Sequence, residues 1–321
     1  MKIGNSNLGK TNQKVSNIAL GTMYFGSKII PEESFDILNE YFNYGGTFLD
    51  SANKYASWIP GCKGGESEEI IGSWIKQKNN RNELFISSKV GFAYGNIPCS
   101  LNKEIIISEC EKSLKRMQVE TIDLYFAHTY DVETPIEESM EAFYQLKKAG
   151  KIRFAGASNM FGWQLYESNQ ASNQQGWEGF SCLQQRYSYL QPTLDADFGT
   201  QNLLTREIIE LCKFKNISIM AYSPLLSGFY SDNSKTISPF YESKSSDVKL
   251  KAIQSIAREL NVSANAVVLA WMLQSSPIVI PVLAASSVSQ FRENMQVLDF
   301  QLFDSQKELL NQSVEKPLTY S

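Results

Sequence analysis

Histidine is nearly absent from this 321-residue sequence, which contains only one, His128. Metalloprotease motifs of the H-E-x-x-H type and tri-histidine zinc sites need two or three histidines, so the count excludes them. The five cysteines are scattered and include no C-x-x-C pair, which disfavours a disulfide framework and a thiolate zinc site. The sequence therefore predicts a protein without a metal, in a reducing compartment such as the cytoplasm.

An excess of positive charge is also missing, as are long apolar runs. Lys and Arg number 30 and Asp and Glu 34, so the net charge of −4 provides no basic field for nucleic acid or an anionic membrane. No run approaches the roughly 18 apolar residues of a membrane helix, and the polar N-terminal stretch lacks a signal-peptide core. We expect neither nucleic acid nor membrane as a partner, and the choice between monomer and homo-oligomer stays open.

Short apolar runs alternate with longer amphipathic segments along the chain. The eight runs cover residues 18–22, 47–50, 84–90, 122–128, 152–158, 180–184, 217–222 and 278–282. Most are nearly continuous, which is typical of strands buried on both faces of a parallel sheet. Helices are predicted over residues 31–46, 66–78, 102–117, 135–150, 203–216, 247–261 and 287–298. This alternation predicts an α/β fold, a (β/α)8 TIM barrel.

A doubly wound nucleotide-binding sheet is the competing fold. The first strand is followed by GTMYFG, which does not fit the G-x-G-x-x-G fingerprint of that fold. No linker or low-complexity segment interrupts the pattern, so we expect a single barrel domain over residues 1–321. Two long loops, residues 55–65 and 223–247, are expected to be functional or mobile, as loops of that size in a compact domain usually are.

Ionisable residues occur at the ends of three consecutive predicted strands, where barrel enzymes carry their chemistry. Asp50 ends the second strand and Tyr55 follows in its loop, while Lys89 and His128 end the next two strands. Alone, Asp50 fits an Asx turn and Tyr55 a packed aromatic. Alone, Lys89 fits an exposed strand end and His128 a structural histidine. Their joint position on adjacent strands favours a shared functional site.

These four groups suit proton transfer to a carbonyl oxygen. A lysine and a carboxylate held together stabilise each other, and the ammonium is expected to lower the pKa of the neighbouring tyrosine from about 10. Tyr55 can then exchange a proton with an alcohol or alkoxide, while neutral His128 orients the same oxygen. The set lacks a nucleophile, which a hydride from a nicotinamide would supply.

The sequence resembles the aldo-keto reductase family over essentially its whole length. The family's Asp, Tyr, Lys and His tetrad matches Asp50 and Tyr55 in LDSANKY, Lys89 in ISSKVG and His128 in DLYFAHTYD. The opening LGKTNQKVSNIALGTMYFG resembles the family's N-terminal β-hairpin leading into the first barrel strand. The resemblance implies an NAD(P)H-dependent reductase of aldehydes or ketones, with Tyr55 as the general acid.

The resemblance also implies the cofactor contacts. Ser158 and Asn159 in GASN and Gln184 in LQQRYSYL should hydrogen-bond the nicotinamide carboxamide, and Tyr222 in AYSPLLSG should stack on the nicotinamide ring. The remaining contacts implied by the resemblance, from the nicotinamide to the pyrophosphate and the adenosine, are Gly21, Thr22, Met23, Asp50, Ser223, Leu225, Ser227, Gly228, Ser286, Gln290, Glu293 and Asn294.

The segment VLAASSVSQFREN departs from the family pattern. The family commonly binds the 2′-phosphate of NADPH here with Lys or Arg, whereas this sequence has Ala284 near the start and Gln290 at a position where a basic residue can occur. Arg292 is the only cation in the segment and lies one helix step from the expected face. Because losing one charge-assisted hydrogen bond costs about 1.5–3 kcal/mol, we predict NADPH binding with a weakened preference and dual use of NAD.

Aromatic residues in the predicted loops are candidates for the substrate pocket, with Tyr24, Trp58 and His128 expected to contact the substrate. The candidates are Tyr24, Phe25, Trp58, Phe92, Tyr94, Tyr130, Phe161, Trp163, Phe229 and Tyr230. Aromatic walls suit sugars and small aromatic carbonyls alike, and the resemblance to bacterial-type family members favours sugar aldehydes or ketones. Two other functions stay open: a Schiff-base lyase acting through Lys89, and a non-catalytic regulatory subunit that keeps the cofactor site.

Overall fold

The chain begins with a two-stranded antiparallel hairpin and continues into a closed barrel of eight parallel strands. The computed structural model describes residues 1–232 and 234–312, so positions 233 and 313–321 of the predicted domain lie outside the described residues. The hairpin strands are β1 (Asn5–Asn7) and β2 (Lys14–Ser16), and the barrel strands are β3 (Ala19–Gly21), β4 (Phe48–Asp50), β5 (Phe85–Val90), β6 (Ile122–Ala127), β7 (Ile152–Ser158), β8 (Cys182–Arg186), β9 (Ser218–Tyr222) and β10 (Val279–Leu283). The predicted barrel with an N-terminal hairpin is confirmed.

The strand order brings the ends of β4, β5 and β6 together. Each barrel strand pairs in parallel with its neighbour in sequence, and β10 closes the barrel against β3. In this register Asp50 lies opposite Ser87, and Lys89 lies opposite Phe126. All residues of β5 and β6 are buried, including the polar Ser87, Ser88, Lys89 and Asp123. The carboxyl ends of the eight strands therefore open at one end of the barrel.

Helices connect the strands and surround the barrel. They are α1 (Pro31–Asn43), α2 (Glu66–Lys78), α3 (Lys103–Met117), α4 (Ile136–Lys148), α5 (Gly162–Gln174), α6 (Arg206–Lys215), α7 (Lys244–Leu260), α8 (Ala264–Leu273), α9 (Val288–Met295) and α10 (Asp304–Gln312). Among the described residues, no helix is both long and apolar enough to cross a membrane.

The sequence pattern misses α5, α8 and α10. Helix α8 is buried on nearly every side, so it has no polar face to produce an amphipathic period. Helix α5 is rich in Ser, Asn and Gln and has a weak apolar stripe, and α10 buries only two residues. Two predicted helix starts are wrong because capping residues decide them: Thr205 caps α6 and Ser243 caps α7, each accepting a backbone N–H hydrogen bond.

The hairpin covers the end of the barrel opposite the strand carboxyl ends. Leu8 and Val15 are buried in the same apolar cluster as Phe48 and Phe85 from the barrel interior. Gly9 has φ +53°, and a Cβ there would approach the Ser181 carbonyl oxygen to 2.6 Å, so a larger residue would push the hairpin away. With this end closed, the accessible interior lies at the carboxyl ends of the strands.

Candidate active site

Lys89 is at the centre of a buried cluster at the barrel mouth. Its Nζ donates to Asp50 Oδ2 at 2.7 Å, to the Ser51 carbonyl at 2.8 Å and to Tyr55 OH at 2.9 Å. The Lys89 and Asp50 side chains are 0% and 1% exposed, whereas Tyr55 is partly exposed. The ammonium therefore joins a buried carboxylate to a phenol that reaches the surface of the barrel mouth.

Backbone pairing and a buried network hold the loop that carries Tyr55. The Asn53 N–H donates to the Lys89 carbonyl at 3.2 Å, and the Asn53 side chain donates to Glu109 of α3 at 2.8 Å. Glu109 has no exposed surface and also accepts from Tyr94 and Lys112. The turn after β4 is thus attached both to β5 and to a helix outside the barrel, which fixes the position of the phenol.

Asp50 has three donors around its carboxylate. Besides Lys89, Ser87 donates to Oδ1 at 2.8 Å and Gln184 Nε2 donates to Oδ1 at 2.9 Å. Gln184 belongs to β8, which is four strands from β4 around the barrel, so this contact crosses the interior. Such full hydrogen bonding is what a buried carboxylate requires.

His128 lies next to Tyr55, and hydrogen bonds of its backbone fix its position. Its backbone N–H donates to the Val90 carbonyl at 2.7 Å, and its backbone carbonyl accepts from Asn159 Nδ2 at 2.9 Å. The imidazole packs against Phe92 and Tyr55, with ring centroids 4.7 and 6.1 Å away. Burial, with the nearby positive charges of Lys89 and Lys54, holds its pKa well below the usual 6.5. The imidazole is therefore neutral and able to donate one hydrogen bond.

The pKa of Tyr55 differs from the sequence-based expectation. Burial raises it above the ordinary value, and the charge and hydrogen bond of Lys89 only partly offset this, while Asp50 adds to the rise. For Lys89 itself, burial opposes the ammonium, but Asp50 and Tyr55 outweigh it and raise its pKa. The expectation of a lowered tyrosine pKa is wrong, because desolvation of the phenolate is the larger effect. The Tyr55 phenol is therefore protonated at neutral pH.

A cleft of about 1070 Å³ opens above this cluster and continues across the barrel mouth to α9. It is lined by all of the residues expected to contact the cofactor except Thr22, and by Tyr24, Trp58 and His128. Thr22 does not line the cleft. Its buried hydroxyl lies 2.9 Å from the Asp50 carbonyl and 2.6 Å from Ser67 Oγ, beneath the surface.

At the end of β7, Asn159 connects three walls of the cleft. Its Nδ2 donates to the His128 carbonyl and to Ser158 Oγ, and its Oδ1 accepts from Tyr222 OH at 2.7 Å and from the Asn202 N–H at 3.3 Å. All hydrogen-bonding positions of this carboxamide are occupied by protein groups. Among the described residues, no protein group accepts the hydroxyl proton of Ser158 or donates to the Oε1 of Gln184, so both can bond to a ligand.

The segment after β9 has an unusual backbone. Ser223, Leu226, Ser227 and Gly228 have φ of 55°, 47°, 61° and 86°, a region that non-glycine residues adopt rarely. Lys235 lies over this turn, and its ammonium donates to the Ser227 carbonyl. Strained backbone that lines a cleft is typical of a ligand-binding loop, because it aims backbone N–H groups towards a ligand.

The far end of the cleft carries no free cation among the described residues of α9. Gln290 Oε1 accepts two hydrogen bonds from Ser286, from the backbone N–H at 3.0 Å and from the hydroxyl at 2.7 Å. Arg292 points to α1, where it donates to both oxygens of Glu40 at 2.7 and 3.2 Å. The Asn294 Oδ1 nearby is buried without a hydrogen-bond partner in the described structure.

The aromatic candidates separate into two groups. Four line the cleft: Tyr24, Phe25, Trp58 and Phe92. The other six do not: Tyr94, Tyr130, Phe161, Trp163, Phe229 and Tyr230. Some of these are ordinary packing or surface residues, such as Tyr230, whose hydroxyl is hydrogen-bonded to Ser188 inside the protein.

Sequence reasoning missed several polar residues of the cleft, namely Lys54, Arg186, Thr200, Gln201, Asp232, Lys235 and Asn265. Lys54 directly precedes Tyr55 in the LDSANKY motif, so its position gave a usable signal. Arg186 ends β8 and could have been found in the same way, by examining the last residue of every strand. Thr200 and Gln201 belong to a loop without any motif.

A closed (β/α)8 barrel with Asp50, Tyr55, Lys89 and His128 gathered at its mouth has the architecture of a barrel enzyme. The model of the Aldo/keto reductase family matches residues 17–315, and the chain belongs to this family. It is an oxidoreductase acting on carbonyl and alcohol groups. The family's carbonyl chemistry agrees with the polar groups gathered here.

Individual relatives span most of this chain. An uncharacterized oxidoreductase of Bacillus subtilis, YrpG, is 29% identical over 318 residues, covering 95% of this chain and 94% of that protein. An aryl-alcohol dehydrogenase of Pestalotiopsis microspora, GME11368, is 28% identical over 311 residues, covering 90% and 76%. The crystal structure of a thermostable aldo-keto reductase, Tm1743, in complex with the inhibitor epalrestat, has a TM-score of 0.77 at 26% identity and covers 97% of this chain and 100% of that one.

Proposed function

We propose that the protein reduces an aldehyde or ketone with NAD(P)H, and that Tyr55 delivers the proton. The observation that carries this proposal is the Lys89 ammonium, which donates to both Asp50 and Tyr55 directly below the cleft. The nicotinamide cofactor, when bound, supplies the hydride to the carbonyl carbon. The residues described below supply binding, orientation and the proton.

The cleft fits a dinucleotide. It extends from Tyr55 and His128 to α9, and it is lined by Asn265 and Asn294, whose Oδ1 atoms are buried without a partner among the described residues. Buried polar atoms without a partner are costly and suit a ligand that satisfies them. Ser158 and Gln184 hold the nicotinamide carboxamide, Tyr222 packs against its ring, and the loop of residues 223–228 binds the pyrophosphate.

The chain's own groups provide the acid chemistry. Neutral Tyr55 donates its proton to the oxygen that gains negative charge, and the Lys89 ammonium stabilises the phenolate that remains. Neutral His128 donates a hydrogen bond to the same oxygen and orients the carbonyl. Asp50 keeps Lys89 charged and fixed, which is why the pKa of Lys89 is raised despite its burial.

The buried position of Lys89 disfavours the Schiff-base lyase. Its three ammonium protons are all donated within the protein, its side chain is 0% exposed, and it does not line the cleft. A lysine nucleophile must be deprotonated and reach the substrate, and both conditions are unfavourable here. No feature among the described residues favours the non-catalytic subunit over the reductase.

Aromatic carbonyls are the proposed substrates, in place of the sugar aldehydes or ketones that the resemblance to bacterial-type family members favours. Tyr24, Trp58 and Phe92 line the cleft beside Tyr55 and His128. One relative is named as an aryl-alcohol dehydrogenase and another as a norsolorinic acid reductase. Flat apolar walls with two polar groups at one end suit an aryl aldehyde or ketone.

Replacement of Tyr55 by Phe tests the assignment of the acid. We expect Tyr55→Phe to keep the dissociation constant for NADPH and to lose about 10²–10⁴-fold in kcat, the usual contribution of a general acid. Turnover is followed as NADPH oxidation with benzaldehyde, and cofactor binding as quenching of protein fluorescence. Tyr166→Phe is the matched control because Tyr166, on α5, is exposed and lies outside the cleft. Wild-type turnover in Tyr55→Phe would show that another group is the acid.

Dual cofactor use is proposed from the same cleft. Arg292 is bound to Glu40, and Gln290 is an uncharged carboxamide that accepts a hydrogen bond from Ser286, so α9 offers no cation to the 2′-phosphate. We expect the dissociation constants for NADPH and NADH to lie within about tenfold of each other, because the missing charge-assisted bond is worth roughly a factor of ten or more. A hundredfold preference for NADPH would contradict this proposal.

A further inference from the structure

Lys54 places a cation inside the substrate end of the cleft. The side chain is half-buried and lines the cleft next to Tyr55. Its Nζ lies 4.5 Å from the ring centroid of Phe92 and 5.9 Å from that of Trp58. Phe92 in turn packs on His128 with centroids 4.7 Å apart, so one aromatic ring separates the ammonium from the imidazole.

No carboxylate is paired with this ammonium in the part of the chain that the structure describes. None of the salt bridges among residues 1–232 and 234–312 involves Lys54, and no hydrogen bond from its Nζ is present there. The cleft carboxylates are engaged or distant: Asp50 is bound to Lys89, Asp232 lies 3.8 Å from Lys235, and Glu293 belongs to α9.

A second cation increases the positive charge of the same cleft. Arg186, at the end of β8, donates to Gln201 Oε1 at 2.7 Å and to Tyr241 OH at 3.1 Å, and it has no acid partner among the described residues. Since β4 and β8 lie on opposite sides of the barrel, Lys54 and Arg186 approach the cleft from two sides. Neither of these two cations of the cleft is paired with a carboxylate among the described residues.

The environment of Lys54 makes its charged form less favourable than it is in water. Burial lowers the pKa of Lys54, because the ammonium is partly removed from water, and the nearby Cys99 thiol offsets this only in part. The faces of Phe92 and Trp58 attract the cation but accept no conventional hydrogen bond from it. An anionic oxygen entering the cleft would gain the three unused ammonium donors and a partly desolvated charge.

We propose that Lys54 binds an anionic oxyacid group, such as a carboxylate, on the carbonyl substrate. The inference rests on the proposed reductase function and names its substrate class: carbonyl compounds whose anion and carbonyl are separated by about one aromatic ring. The carbonyl oxygen then meets Tyr55 and His128 while the anion meets Lys54, and Phe92 and Trp58 contact the ring between them.

Two matched aldehydes test the proposal, 4-carboxybenzaldehyde and its neutral methyl ester, methyl 4-formylbenzoate. The wild type is expected to show the larger kcat/KM for the carboxylate, although the ester is the more electrophilic aldehyde. In Lys54→Met the ratio of the two kcat/KM values is expected to fall by about tenfold or more, the loss of one charge-assisted contact. Comparing ratios between variants cancels the intrinsic reactivity of the aldehydes.

Two further variants separate charge from general damage. Lys54→Arg keeps the cation and is expected to retain most of the preference for the carboxylate. Lys28→Met removes an exposed cation that lies 4.8 Å from the Tyr24 ring but does not line the cleft, so its ratio is expected to equal that of the wild type. A ratio that falls equally in Lys28→Met would overturn the role of Lys54.

A binding measurement keeps this inference distinct from the reductase function. Calorimetry with NADP⁺ present compares benzoate with neutral benzamide, and benzoate is expected to bind the wild type more tightly but to lose that advantage in Lys54→Met. If the ester is reduced and both ratios are unchanged in Lys54→Met, the anion site is wrong and the reductase stands. If neither aldehyde is reduced while the benzoate result holds, the reductase function is wrong and the anion site stands.

Discussion

Replacing Lys89 with Met should destabilise the protein as well as inactivate it. The change leaves the Asp50 carboxylate, 1% exposed, without its cation. Removing one partner of a buried ion pair costs about 3–5 kcal/mol. Ser87 and Gln184 still donate to Asp50 at 2.8 and 2.9 Å, so we expect the lower end of that range, about 3 kcal/mol.

The double variant Asp50→Asn/Lys89→Met isolates the charge from the loss of packing. With the carboxylate neutralised, no uncompensated charge remains, and the double variant should lose less stability than the two single changes summed. We expect a coupling energy of about 2 kcal/mol, as residues in direct contact can show. Urea unfolding followed by circular dichroism, with reversibility established first, gives the four free energies of unfolding.

An exposed ion pair provides the control for this cycle. Lys103 lies 2.9 Å from Glu141, and both side chains are over a third exposed, so Lys103→Met should cost no more than about 1 kcal/mol. The reasoning is refuted if Lys89→Met costs as little as Lys103→Met. It is equally refuted if the effects of Asp50→Asn and Lys89→Met add, because the pair would then contribute no coupling.

Three further predictions concern pH and the cofactor. Because the pKa of Tyr55 is raised and that of His128 is lowered, the acid stays protonated and the imidazole neutral over a wide range. The kcat for reduction, with hydride transfer limiting, should be constant from about pH 7 to 9 and fall only above about pH 10, and an inflection near neutrality would contradict this. Gln290→Arg should tighten NADPH binding about tenfold relative to NADH, as measured by fluorescence titration, and equal tightening of both would contradict a 2′-phosphate contact. Arg292→Ala should change NADPH affinity less than about threefold, since its exposed guanidinium is bound to Glu40, and a tenfold loss would show that it reaches the phosphate.

Much of the barrel follows from local sequence pattern. The eight apolar runs coincide with β3 to β10 within about two residues at each end, because strands buried on both faces leave a continuous apolar signal. The order of these strands around a barrel then requires that the residues ending β4, β5 and β6 be neighbours. Asp50, Lys89 and His128 could therefore be grouped before any contact was known.

Other features depended on contacts between residues far apart in sequence. Gln184 reaches Asp50 across the barrel interior, and Arg292 is held by Glu40 on α1, 252 positions earlier in the chain. Helix α8 leaves no amphipathic signal because the surrounding structure buries it on nearly all sides. No local pattern encodes these pairings, since they arise only when distant segments pack together.

The sequence by itself determined the barrel, its family resemblance and the identity of the four groups at its mouth. Only the tertiary structure decided how those groups ionise. The burial of Tyr55 raises its pKa by more than the charge and hydrogen bond of Lys89 lower it. The tertiary structure also decided that Thr22 faces inward and that Lys54 faces the cleft without an acid partner among the described residues. Desolvation and unpaired charge depend on every atom surrounding a group, and that environment exists only in the folded chain.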